Sequence, residues 1–259
     1  MSARSVTALL LLGVSPAAAQ LGRQVSQAPD GQVRMTYAAR EGVVGNGRNI
    51  ISWDCDGMNC RSQHMQGNYN DRDYERGLTA CDTGPVRVTL WVRGGEVQSL
   101  RVTVGGTFRA GAGTATDLGT VSAAEAARYL LTLDVKNAIF AAAIADSATI
   151  WPDLLRMAKD TRRPHETRKQ AVFWLGQAAE EAATRGLEDL IDSDMPDRDV
   201  QKSAVFAISQ RPREEGVPTL IRVAKTHRDP EIRRQAIFWL GQSEDPRALA
   251  LFEELLTKP

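Results

Sequence analysis

The C-terminal half of the chain repeats one line. Lys136-Asn-Ala138-Ile-Phe140, Lys169-Gln-Ala171-Val-Phe173, Lys202-Ser-Ala204-Val-Phe206 and Arg234-Gln-Ala236-Ile-Phe238 are near copies, with their alanines 33, 33 and 32 residues apart. A period of this size marks a solenoid, because a single unit cannot bury its apolar face and stacked neighbours make one continuous core. Solenoids act mostly by binding, so the repeat speaks to how the protein works and leaves open what it works on.

Each unit reads as two helices. One carries the alanine line, and the next carries apolar residues at offsets 16, 19 and 20 from the alanine. These are Leu154, Met157 and Ala158; Leu187, Leu190 and Ile191; Leu220, Val223 and Ala224; then Phe252, Leu255 and Leu256. That spacing is one helical face, repeated. Asp197 and Asp229 precede their alanines by seven residues and are expected to cap the alanine-bearing helices, with Pro230 at a first helical position where its missing N–H costs nothing.

At Asp229-Pro-Glu-Ile-Arg-Arg-Gln-Ala236-Ile-Phe-Trp-Leu240-Gly241, followed by Asp245-Pro-Arg-Ala-Leu, the chain closely resembles the HEAT-like repeats first described in phycobilisome-linker lyases. The resemblance covers roughly residues 121–259, about half of the chain. It implies an α-solenoid with scaffolding or partner-binding roles. Lyase activity is not implied, since the functional residues of those enzymes have no placeable counterpart here. The whole chain is also similar to uncharacterised exported HEAT-repeat proteins of bacteria, which brings no function with it.

Against the usual HEAT-like pattern, the position two after each alanine is aromatic: Phe140, Phe173, Phe206 and Phe238. At about 100° per residue this position lies about 200° from the core-facing alanine. Lys136, Lys169, Lys202 and Arg234 project at about 160°, and Gln177, Gln210 and Gln242 at about 240°. Stacking would align a phenylalanine ladder edged by a basic row and an amide row, which is the make-up of an interaction surface. The alternative is burial of the phenylalanines between repeats or beneath the N-terminal part, with the cations paired to Glu166, Asp199 and Glu231. Trp174 and Trp239, at about 300°, read as core.

The N-terminal half has a different character. Arg4, the apolar run Thr7 to Val14 and Ala17-Ala18-Ala19 make a secretory signal peptide over residues 1–19, with cleavage after Ala19. The run is too short to span a bilayer. Export places the mature chain in a periplasmic or secreted setting, where disulfides are the default for cysteines. The candidates are Cys55, Cys60 and Cys81; pairing Cys81 with either of the others closes a useful loop, and a Cys55–Cys60 bridge closes a very short one. Residues 20–115 read as a small β-rich unit: Gln32 to Tyr37, Asn49 to Trp53, and a hairpin of Val86 to Arg93 and Glu96 to Val104 around Gly94-Gly95. Gly105 to Gly119 reads as a linker, and Ser122-Ala-Ala-Glu125 as a capping box opening the helical part. The fold class is therefore α+β, a small β unit followed by an α-solenoid.

Chemistry finds little footing. Formal net charge is zero, so no global field holds nucleic acid. The three histidines, His64, His165 and His227, fall in no catalytic motif, and no cofactor signature is present. Cys55, Cys60, His64 and Cys81 lack the tight knuckle of a zinc site, and Asn68 to Glu75 lacks the central glycine of a calcium loop. The expectation is a non-enzymatic scaffold for a protein or peptide partner. The competing readings are a hydrolytic or metal-dependent enzyme with its site in the Cys-rich loop, and a self-assembling structural protein.

Overall fold

The computed structural model describes residues 16–56, 59–65, 81–108, 115–178, 181–194 and 197–257. The apolar leader run, the acidic run Asn68 to Glu75 and Gly111 to Gly113 lie outside them. The architecture is α+β, in two compact units, Met1–Tyr129 and Leu130–Pro259.

The first unit holds two sheets. Strands β1 (Gly31–Tyr37), β5 (Val86–Arg93), β6 (Glu96–Val104) and β7 (Ala115–Thr120) form one, in the order β6-β5-β1-β7. Alternation drives it. Val33, Met35, Tyr37, Val86, Val88 and Leu90 point inward and are fully buried, each contributing roughly 1.5–3 kcal/mol of apolar transfer. The expected hairpin is present. Gly94 and Gly95 both hold positive φ (59° and 76°), as a tight two-residue turn demands, and Asp30 Oδ1 accepts the Gly94 N–H at 2.8 Å. Burial pushes the Tyr37 phenol well above its ordinary range and that of Tyr129 up to about 12.

The linker expectation is corrected at its C-terminal end. Ala115–Thr120 is an edge strand, β7, pairing parallel with β1, so the β part runs on to Thr120. Its Gly/Ala/Thr composition hid a strand that borrows stability from its neighbour. Gly105 and Gly106 are packed as well: a Cβ on Gly47 would lie 2.8 Å from the Gly106 Cα. Glycine stands there because two backbones touch.

A smaller sheet joins β2 (Val44–Gly45), β3 (Ile50–Asp56) and β4 (Asn59–Met65) in the order β2-β3-β4. Its ladder sets Cys55 directly opposite Cys60. Cys81 is half-buried, and that burial raises its thiol pKa. Of the candidate pairs, the ladder register puts the one with the shortest loop on facing positions. Helix α1 (Pro16–Ser26) straddles the expected cleavage point and buries Ala18, Leu21 and Val25 on one face.

Helix α2 (Ala123–Leu130) begins right after Ser122, as the capping box requires. The helices that follow are α3 (Ala138–Ala143), α4 (Trp151–Lys159), α5 (His165–Gly176), α6 (Glu181–Asp192), α7 (Arg198–Ser209), α8 (Arg213–Thr226), α9 (Pro230–Gly241) and α10 (Pro246–Thr257). The alanine line sits in α3, α5, α7 and α9, and all four alanines are buried. Both expected caps form: Asp197 accepts from Val200 N at 3.2 Å and Asp229 from Glu231 N at 2.8 Å. The offset face is buried in α4, α6 and α8. In α10 it is not, since Leu255 and Leu256 are exposed.

Candidate protein-interaction surface

The phenylalanine ladder is graded. Relative exposure is 6% at Phe140, 39% at Phe173 and 55% at Phe238, with Phe206 half-buried. The residue after each phenylalanine explains the grading. Trp174 of the second repeat packs on Phe140 of the first, ring centroids 5.7 Å apart, and Trp239 of the fourth packs on Phe206 of the third at 4.9 Å. Each tryptophan also meets the phenylalanine of its own repeat edge-on, Phe173 at 5.3 Å and Phe238 at 4.9 Å. Such aromatic pairs are worth about 0.5–1.5 kcal/mol beyond area. Phe173 receives no tryptophan from the third repeat, because Ala207 stands there. Ala207 is small for a reason: a Cβ on Gly176 would lie 2.8 Å from the Ala207 Cβ, so α5 and α7 touch at this point. Trp174 is buried as expected, whereas Trp239 is only half-buried.

The edges of the ladder are less available than a helical wheel suggests. Lys169 Nζ lies 3.5 Å from Glu166, Lys202 reaches Glu231 of the next repeat at 3.9 Å, and Arg234 also pairs with Glu231. Lys136 is exposed. Asp199 has a different neighbour, His165 Nε2 at 3.9 Å. Gln177, Gln210 and Gln242 are all exposed and each forms the C-cap of its helix, so the amide row marks three equivalent helix ends. The structure therefore brings Phe173, Phe206 and Phe238 together with this row and with partly neutralised cations. Phe140 is withdrawn into the core.

A second set of repeated residues escaped the reading of the sequence. Three positions before Ala171, Ala204 and Ala236 stand Arg168, Gln201 and Arg233, and all three close the end of the preceding helix. Arg168 Nε donates to Ala158 O at 3.1 Å while its Nη1 donates to Asp197 at 2.7 Å. Gln201 Nε2 donates to Ile191 O at 3.0 Å and Ser193 O at 2.9 Å. Arg233 Nη1 donates to His227 O at 2.6 Å. Helix C-termini leave carbonyls without partners, and a long polar side chain from the next helix supplies the donors. The available signal was a polar residue recurring on the core side of α5, α7 and α9, where the first repeat has Val135.

Polar rungs also fix the register of α6 against α8. Thr184 donates to Glu215, Thr219 donates to Glu188 at 2.6 Å, and Arg222 donates to Asp192 at 2.8 Å. Thr184, and then Arg211, hold the Glu215 carboxyl below its ordinary range. Buried Arg211 sits among Thr184, Glu215 and the Ala178 carbonyl, so its charge is satisfied and structural.

Among the described residues no cluster of three or more His, Cys, Asp or Glu side chains could hold a metal ion, and no helix is long and apolar enough to cross a membrane. Of the Cys-rich stretch between Asp54 and Asp82, where the competing enzymatic reading placed its site, residues 57–58 and 66–80 lie outside the described ones.

Comparison with known families places the C-terminal part. Residues 194–259 match the HEAT repeats family. The match spans α7 to α10, the stretch where the aspartate caps and the cross-helix donors recur. HEAT repeats are generally protein-interaction scaffolds, and no enzymatic family is indicated for the chain. No curated protein matches it.

Proposed function

We propose that the protein is an exported, non-enzymatic scaffold that binds a protein or peptide through the repeat face bearing Phe173, Phe206 and Phe238. The observation that carries this reading is the exposure of Phe173 on α5 and Phe238 on α9, with half-buried Phe206 on α7 between them. Scattered apolar residues on a surface are ordinary, but aromatics held in a row by tryptophans and rimmed by amides and cations have the make-up of an interface centre. Gln177, Gln210 and Gln242 supply donors and acceptors along one edge, and Lys169, Lys202 and Arg234 supply charge along the other.

In this reading the leader is removed after Ala19. Leu21 and Val25 remain to anchor what is left of α1, and the oxidising compartment closes a Cys55–Cys60 bridge across β3 and β4. The mass of the exported chain, measured with and without reductant, tests both points.

The binding test is capture from an envelope extract with mature wild type and with a Phe173→Ser/Phe238→Ser variant whose fold is verified by circular dichroism. A partner retained by wild type and lost by the folded variant supports the face. A partner retained equally by both removes it. A second reading, self-assembly, rests on α10, where Leu249 is 60% and Leu256 87% exposed. Sedimentation across a concentration series separates the two, since only self-assembly changes size with concentration.

A further inference from the structure

A separate binding site lies in the first unit, on the face of the larger sheet opposite its core. The alternation that buries Val33, Val88 and Val102 puts Arg34, Thr89 and Arg101 on the other face. The ladders set these three side by side across β1, β5 and β6. The adjoining row is Thr36, Arg87 and Thr103, and Gln32 stands opposite Trp91 in the row beyond. With strands about 4.8 Å apart, three guanidinium-bearing residues occupy a patch about 10 Å across. They line one cleft of about 150 Å³ together with Trp91, Thr103 and Phe108, and among the described residues no carboxylate lines it.

The contacts of Arg87 and Arg101 among the described residues leave much of their charge unanswered. Arg34 Nη2 donates to Gln32 Oε1 at 2.9 Å, and Arg101 Nη2 makes one long bond, 3.4 Å, to the Arg48 carbonyl. The Arg34 and Arg87 guanidiniums lie 5.4 and 5.7 Å from the Phe108 ring centroid, a cation–π arrangement that orients them. Arg87 Nη1 is buried and has no hydrogen-bond partner among the described residues. The nearest acid by register is Asp117, opposite Arg34 on the edge strand. It is exposed, and its Oδ1 accepts the Gly119 N–H at 2.8 Å. A cluster of like charges on a chain with no net charge is costly to assemble, and planar guanidiniums flanked by threonine hydroxyls match an oxyanion in both charge and geometry. Trp91, 37% exposed at the rim, offers a flat apolar face to whatever carries that oxyanion.

We propose that this cleft binds a small ligand through a carboxylate or phosphate group, with the ligand's ring lying on Trp91. The proposal does not depend on the scaffold role of the repeats.

The test is titration calorimetry on the mature full-length chain with inorganic phosphate, galacturonate and, as the neutral counterpart, galactose. Galacturonate or phosphate binds, more weakly as salt rises. Arg101→Gln lowers the affinity about tenfold or more, while Arg234→Gln on the repeat unit leaves it unchanged. Arg101 makes only one long contact, so its loss leaves the fold intact. Arg87→Gln behaves the same way where it folds, and Arg101→Gln decides the matter where it does not. Phosphate binding alone identifies a free or esterified phosphate as the source. Galacturonate binding that weakens in Trp91→Ala identifies a carboxylate on a ring. Equal binding of galactose, full affinity in folded Arg101→Gln, no binding of any probe up to about 10 mM, or binding of an oligonucleotide in place of all three overturns the proposal.

Discussion

Truncating each rung of the phenylalanine ladder to alanine tests the graded burial on which the proposed interface depends. Fully burying a phenylalanine is worth roughly 1.5–3 kcal/mol in transfer, and a core Phe→Ala substitution costs about 3–5 kcal/mol once the cavity is included. Phe140, at 6% exposure and packed on Trp174, takes the whole of that. Phe238, at 55%, has less than half of its surface covered and leaves no enclosed cavity, so its truncation costs about 1 kcal/mol. Its edge contact with Trp239 adds about 0.5–1.5 kcal/mol. Phe173 falls between the two. For a domain of this size a kilocalorie moves the melting temperature by about 2–4 °C, so Phe140→Ala lowers it by roughly 6–20 °C and Phe238→Ala by roughly 3–10 °C. Calorimetric melts of the mature chain read the difference. Equal losses at Phe140 and Phe238 would show that the ladder is uniformly core, and the exposed face would cease to exist as a binding surface.

Arg168→Met removes the donors to Ala158 O and leaves Asp197 without its cation; it costs about 2–4 kcal/mol in urea denaturation, against under about 0.5 kcal/mol for Arg185→Ala at an exposed intrahelical pair. Gly47→Ala forces a side chain onto the Gly106 backbone at a φ of +67°, losing about 1–2 kcal/mol from conformation alone; an unchanged melt would refute the close approach. Asp245, held at about 2 by its bonds from the Arg247 side chain and backbone, contributes stability that is present above its unfolded value near 4 and is lost as pH falls toward 2. The stability gap between wild type and Asp245→Asn is therefore widest above pH 5 and shrinks as acid is added; a gap constant down to pH 2 would refute the assignment.

Much of the architecture was legible because it rests on local rules. The Ala138, Ala171, Ala204 and Ala236 register follows from a repeat period along the chain, and the Asp197 and Asp229 caps and the Gly94-Gly95 hairpin from periodicity or turn chemistry within a dozen residues. β7 was missed because its residues carry no alternation of their own, and only pairing with β1 makes Ala115–Thr120 a strand. The grading of the ladder was equally hidden. Whether a phenylalanine about 200° from the core is covered depends on the side chain that the next repeat offers, tryptophan or alanine, some 34 residues away.

By itself the sequence determined the unit that is copied, the helix faces that pack and the two-part division of the chain, because spacing along one chain decides which residues share a helix or strand face. Only the tertiary structure decided which exposed-looking positions are in fact covered, that Arg168, Gln201 and Arg233 close their neighbours' helices, and that Arg34, Arg87 and Arg101 converge on one cleft. Those outcomes depend on distances between segments remote in sequence. Such distances are set by the stacking of repeats and the pairing of strands, which no local pattern encodes.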